Sequence, residues 1–149
     1  RKILQKKIYI INGPNLNLLG SREPEKYGKT SLKDLETLCF DKCKIHGFEL
    51  NFFQSNIEGL LIDEIHKAIN DGAGIIINAG ALTHTSIGIL DALNMFKGPK
   101  IEIHITNIHA RESFRHKSYI SPVASGIIAG LGVNSYLLAI EALQNLIND

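Results

Sequence analysis

The chain has 149 residues, 44% hydrophobic and 21% charged. That is the balance of one folded α/β-sized domain, and it excludes a disordered, collagen-like or disulfide-built chain. Sixteen Lys and Arg against fifteen Asp and Glu leave a formal charge of +1, so no basic field exists to recruit nucleic acid, and apolar runs such as Ile75–Ile77 are too short to span a membrane.

In chain order, Lys7–Asn12 (KIYIIN) reads as a short buried strand. Ser31–His46 reads as a helix, with Ser31 as N-cap, Asp34 three residues on, and an apolar stripe of Leu32, Leu35, Leu38, Cys39 and Cys43. Gly47 stops it. Phe48–Ser55 is the second strand and Glu58–Asn70 the second helix, with Leu61, Ile62, Ile65 and Ile69 on one face. Gly74–Asn78, Ser86–Phe96, Lys100–Ile105, Gly126–Gly130 and Asn134–Ile147 continue as strand, helix, strand, strand and helix. The alternation implies right-handed crossovers and a parallel sheet with helices on both faces. Five strands suit a flavodoxin-like sheet in one domain over 1–149 better than a complete dinucleotide-binding fold.

Cys39 and Cys43 are the only cysteines and share a helix face at i,i+4, too far apart for an easy disulfide. They read as core residues in a reducing cytosol. No basic start followed by a long apolar stretch marks a secretory signal, and Arg1 in place of Met reads as a trimmed start.

In such sheets ligands bind outside the carboxyl ends of the strands. The segments that follow these strands are unusually polar: Asn12–Asn15, Gln54–Asn56, Asn78–Ser86 and Thr106–Arg115. The fourth strand is the sharpest anomaly. A central parallel strand should be apolar on both faces. Here Glu102 and His104 alternate with Ile101, Ile103 and Ile105, which puts carboxylate and imidazole on one face. A carboxylate beside an imidazole orients the ring and favours its protonated form, as a general acid requires. An edge strand with a wet polar face would show the same pattern, and the strand alone leaves both open.

Three further features carry the same two-sided reading. Asn12–Thr30 is too long for a simple connection; Gly20 and Gly28 flank a lid stiffened by Pro24, or the segment is a decorative loop. Arg111 and Arg115, at i,i+4 on one side of a short helical turn, suit an anionic ligand, or pair with Glu112 in solvent. Asp91 interrupts a mostly apolar helix face, so it is buried with a partner or sits at a subunit contact. Other chemistries find less support. Gly13–Gly20 lacks the Lys-Ser/Thr of a phosphate loop, and Ser135 breaks the dinucleotide fingerprint begun by Gly130 and Gly132. His84, His104 and His109 match no zinc spacing, so no metal is expected.

Five segments together resemble the type II 3-dehydroquinate dehydratases: Ile11–Gly20, Arg22–Gly28, Asn78–Ser86, Ile101–Arg115 and Ser118–Gly132. The likeness runs from Lys7 to Ile147, with residues 1–6 as a short N-terminal extension. It implies a cytoplasmic hydro-lyase of the shikimate or quinate pathway. The reaction would be a cofactor-free trans-elimination of water from 3-dehydroquinate to 3-dehydroshikimate through an enolate. It implies Tyr27 as base, His104 as general acid, Arg22 in support of the tyrosinate, and Asn15 holding a water against the enolate oxygen. Substrate contacts would fall on Asn78, His84, Ile105, Thr106 and Arg115, with Glu102 orienting His104 and Arg111 near Tyr27. Asp91 would reach a neighbouring subunit's site in trimers assembled into dodecamers. A small-anion binding module and an assembly protein are the readings from other classes. The first predicts binding without turnover, and the second predicts that Arg22, Tyr27 and His104 are replaceable.

Overall fold

The computed structural model describes residues 5–148. Five strands form one parallel sheet: β1 Lys6–Asn12, β2 Phe48–Gln54, β3 Gly74–Asn78, β4 Lys100–His104 and β5 Gly126–Ala129. Their order is β2-β1-β3-β4-β5, the flavodoxin-like arrangement. Lys6 pairs with Phe48, so the first strand starts one residue inside the expected N-terminal extension. Residues 1–4 of that extension lie outside the described residues.

The helices are α1 Pro24–Tyr27, α2 Leu32–Ile45, α3 Glu58–Asp71, α4 Ile87–Met95 and α5 Asn134–Asn148. The single turn α1 falls within the segment expected to be irregular, because four residues carry no helical period. Ser31 caps α2 as expected, its hydroxyl accepting from the Asp34 amide at 3.1 Å. Ser86 caps α4 in the same way, accepting from Ile89 at 2.9 Å.

The alternation of strand residues divides the core in two. Ile8, Ile10 and Ile103 pack on Leu35, Cys39 and Cys43 of α2 and on Ile140 and Leu143 of α5. Tyr9, Ile11, Ile75 and Ile77 pack on Leu61 and Ile65 of α3 and on Ile89 and Leu93 of α4. Two expected stripe residues lie outside this core: Leu38 is 42% exposed and Ile69 39%. Each sits at the rim of its stripe, turned away from the sheet. Burial pushes the free Cys39 and Cys43 thiols up to about 12, so both stay protonated.

β1 and β3 are neighbours in the sheet, and the chain leaves them in opposite directions, which opens a crevice at their carboxyl ends. Tyr136 of α5 closes its floor from one side. Its buried hydroxyl donates to Asn12 Oδ1 at 2.6 Å and accepts from Asn78 Nδ2 at 3.0 Å. Asn12 in turn donates to the Phe53 carbonyl at 3.1 Å, so the ends of β1, β2 and β3 are tied through two amides and one phenol. Tyr136→Phe keeps the ring and strands two buried amide groups. Its unfolding free energy should fall by about 1–3 kcal/mol in urea denaturation.

Candidate active site

A cleft lies over the carboxyl ends of β1, β3 and β4. Asn15, Arg22, Tyr27, Asn78, His84, His104, Ile105, Thr106, Arg111 and Arg115 line it. These residues span 101 positions of the chain, and the strand ends bring them to one rim.

β4 is an interior strand, paired with β3 on one side and β5 on the other. The edge-strand explanation for its polar residues therefore fails. Glu102 is 0% exposed and His104 5%. His104 Nε2 lies 2.5 Å from Glu102 Oε2. An ionised carboxylate only accepts, so Nε2 carries the proton and Nδ1 is the ring nitrogen left free. The other contacts to Glu102 come from the segment after the last cleft residues. Ser118 Oγ donates to Oε2 at 2.8 Å and Ser121 Oγ to Oε1 at 2.5 Å. Burial favours the neutral carboxyl, but the hydrogen bonds from His104, Ser121 and Ser118 outweigh it and hold Glu102 below its ordinary value.

Tyr27 ends the turn α1, which lies between Gly20 and Gly28, both at positive φ. The two ends of this loop touch: a Cβ on Gly20 would stand 3.0 Å from the Lys29 carbonyl. Pro24 starts the turn, and the Tyr27 amide bonds to the Glu23 carbonyl at 3.1 Å. The guanidinium carbons of Arg22 and Arg111 lie 4.9 and 5.5 Å from the centre of the Tyr27 ring. Two cations thus flank one phenol.

Arg111 and Arg115 do not share one helical turn. Ile108–Ala110 and Ser113–Arg115 are separate 3-10 turns, and Arg111 is extended between them. That break aims Arg111 at Thr106, to which it donates at 3.2 Å, while Arg115 donates to Glu112 at 3.1 Å. Both guanidiniums still reach the cleft.

The loop after β1 is held from two sides. Gly13 packs so closely on Ala79 that a Cβ there would stand 2.3 Å from its carbonyl oxygen, and its amide donates to Asn78 at 2.8 Å. Gln54 and Asn56 hold the other side: Gln54 donates to the Gly13 carbonyl at 3.1 Å, and Asn56 accepts from the Asn15 amide at 2.9 Å. Asn15 is thereby fixed in a left-handed conformation at φ 71°, a region asparagine tolerates better than most residues. His84 Nδ1 donates to the Lys117 carbonyl at 2.7 Å, and its ring stacks on His104 with centroids 6.4 Å apart. The glycine pair that failed as a dinucleotide fingerprint has a role here. Gly130 and Gly132 donate to the carbonyls of His104 and Ile105 and fix the chain as it leaves β4.

Asp91 stands apart. It is exposed on α4 and does not line the cleft of its own chain. Among the described residues, no three His, Cys, Asp or Glu side chains gather as metal ligands would. Sequence reasoning missed Ser118, Ser121 and Tyr136 as partners of the site. The two serines lie in an aperiodic segment, and Tyr136 reads as an ordinary core position of α5.

The family model described as "Dehydroquinase class II" matches residues 6–144. The chain belongs to the class II dehydroquinase family. A "Catabolic 3-dehydroquinase" from Meyerozyma guilliermondii is 58% identical to it over 143 residues, covering 94% of this chain and 98% of that one. A "3-dehydroquinate dehydratase" from Variovorax paradoxus is 57% identical, over 93% of this chain and 98% of that one. The crystal structure of a type II dehydroquinase from Butyrivibrio crossotus is similar with a TM-score of 0.91 at 45% identity, covering 93% of this chain and 97% of that one. The family match, the fold and the five sequence segments that suggested it agree.

The lowered carboxyl of Glu102 has a thermodynamic consequence. A carboxyl held below its ordinary value of 4.5 adds stability that is present above that pH and is lost as pH falls through its folded value. Glu102→Gln lacks this contribution. The melting-temperature gap between the wild-type protein and Glu102→Gln should therefore shrink on acidification below 4.5, a comparison open to calorimetry.

Proposed function

We infer that this chain dehydrates 3-dehydroquinate to 3-dehydroshikimate, a hydro-lyase reaction of the shikimate or quinate pathway that proceeds through an enolate without a cofactor. The observation that carries the reading is one cleft with a phenol between two guanidiniums and an imidazole backed by a buried carboxylate. The substrate carries a proton beside a ketone and a hydroxyl one carbon further on. Elimination needs a base for the first and an acid for the second.

Tyr27 acts as the base. The guanidiniums of Arg22 and Arg111 face its ring and are the counter-charges for the phenolate that this role requires. The phenolate takes the proton, the C–H bond breaks, and its electron pair moves onto the ketone oxygen as an enolate. Asn15, locked in its loop, holds a water against that oxygen. The enolate then collapses, the carbon–oxygen bond breaks, and the hydroxyl leaves as water with a proton from His104. Because Glu102 engages Nε2, that proton comes from Nδ1. Backbone N–H groups around Ile105 and Thr106, with Asn78, His84 and Arg115, bind the carboxylate and hydroxyls of the substrate. The described strands and helices form one catalytic domain. Two buried free thiols support a reducing, cytoplasmic setting, and among the described residues no helix is long and apolar enough to cross a membrane.

The protein works as a homo-oligomer, trimers arranged into dodecamers, with Asp91 reaching the cleft of a neighbouring subunit. Support comes from the outer face of α4, where Ile87 and Met95 are 56% and 51% exposed beside exposed Asp91.

Tyr27→Phe removes only the hydroxyl. Ultraviolet absorbance of the conjugated enone product should report kcat lower by at least about 100-fold, with KM much less affected. Near-wild-type kcat in that variant would sink the assignment of the base. Sedimentation should give an assembly that is a multiple of three, and Asp91→Ala should lower activity without unfolding the subunit. A fully active monomer would refute the shared site.

A further inference from the structure

Glu102 does not stand alone behind His104. Besides His104, hydroxyls from outside the strand that carries it grip its carboxylate at both oxygens. Ser118 Oγ donates to Oε2 at 2.8 Å, the oxygen that also accepts from His104. Ser121 Oγ donates to Oε1 at 2.5 Å. The serines are themselves held. Ser118 Oγ accepts from the amides of Ile120 and Ser121, both at 3.0 Å, so its proton has no competing acceptor in that turn. Pro122 follows Ser121 in the 3-10 turn Ser121–Val123 and stiffens it. Ile120 is buried in the core against the α4 side of the sheet, which anchors the segment between the two hydroxyls.

We propose that Ser118 and Ser121 are positioning residues of the elimination, clamping Glu102 so that His104 presents Nδ1 to the cleft with its charge balanced. The inference rests on the role of His104 given above. A buried carboxylate with one donor would rotate about its last side-chain bond or take up a proton. With a donor on each oxygen it does neither, and the tautomer and orientation of the ring are set. The lowered proton affinity of Glu102 agrees with two hydroxyl donors in addition to His104. The other titratable groups on the elements around this face are Lys100 on β4, His84 after β3, Asp91 on α4, and His116, Lys117 and Tyr119 before and between the serines. Arg111 and Arg115 approach from the cleft. Lys100 is engaged elsewhere, donating to the Phe96 carbonyl at 2.6 Å, and His84 bonds to Lys117.

Ser121 is the cleaner probe, since Ser118 also supports the turn. Ser121→Ala should lower kcat by about tenfold or more with KM unchanged, the loss expected for one hydrogen bond to a buried charge. The side-chain carboxyl carbon resonance of Glu102, assigned by its absence in Glu102→Gln, should titrate at higher pH in Ser121→Ala than in the wild-type protein. The sign follows because removing a donor weakens the ionised form. Ser121→Thr should restore both properties and Ser121→Val neither, which separates the hydroxyl from the volume and keeps the test alive if Ser121→Ala folds poorly. A folded Ser121→Ala with wild-type kcat and an unmoved Glu102 titration overturns the proposal. So does equal restoration by Thr and Val, which would mean packing. His104→Ala, assayed in parallel, tells the two inferences apart. If it is fully active, the role of His104 fails. If it is inactive while the Ser121 variants match the wild-type protein, only the clamp fails.

Discussion

A carboxylate with no exposed surface on an interior strand is costly to keep ionised, and the arrangement around β4 answers that cost. Glu102 lies where the sheet should be apolar. It can remain there because an imidazole and two hydroxyls converge on it. Each of those partners is then constrained in turn. His104 must face the crevice at the switch of strand order, the chain after β4 must return over the sheet to deliver Ser118 and Ser121, and β5 must follow to make β4 interior. The buried charge thus fixes more of the molecule than its single side chain suggests.

The two halves of the cleft solve opposite electrostatic problems. On the Tyr27 side, two guanidiniums stand over one aromatic ring. On the His104 side, one buried carboxylate holds the imidazole. Arginine suits the first task because it stays charged at any working pH and lies flat on an aromatic face. Opposite charges thus stand on the two sides of one small cleft.

Much of this was legible in the chain. The strand and helix periods located all five strands and the four long helices to within a residue or two, and the i,i+2 spacing puts Glu102 and His104 on one face. The cleft residues named from the resemblance meet at one rim, Asp91 excepted. What the sequence hid has a physical reason. Leu38 and Ile69 fit their helical stripes, but periodicity cannot say where a stripe turns away from the sheet. Arg111 and Arg115 match helical spacing across a break between two 3-10 turns, which local pattern does not reveal. Ser118, Ser121 and Tyr136 act across 16 to 124 residues of chain, and no short-range signal encodes such contacts.

The position of β1 bears on how the molecule comes together. It is the first strand in the chain, yet it lies between β2 and β3, whose residues begin at 48 and 74. Parallel pairing cannot be made by a tight hairpin, so each neighbour must arrive after its own crossover helix. During synthesis the loop carrying Asn15 and Tyr27 is complete early but has nothing to lean on until Asn56, Asn78 and finally Arg111 emerge. Loop-closure entropy is then met before the contacts that reward it, which makes folding slow relative to a helical chain of equal length. The cleft is accordingly a late product of folding: a chain lacking its last third can build β1, β2 and β3, but it cannot yet flank the phenol with its second cation.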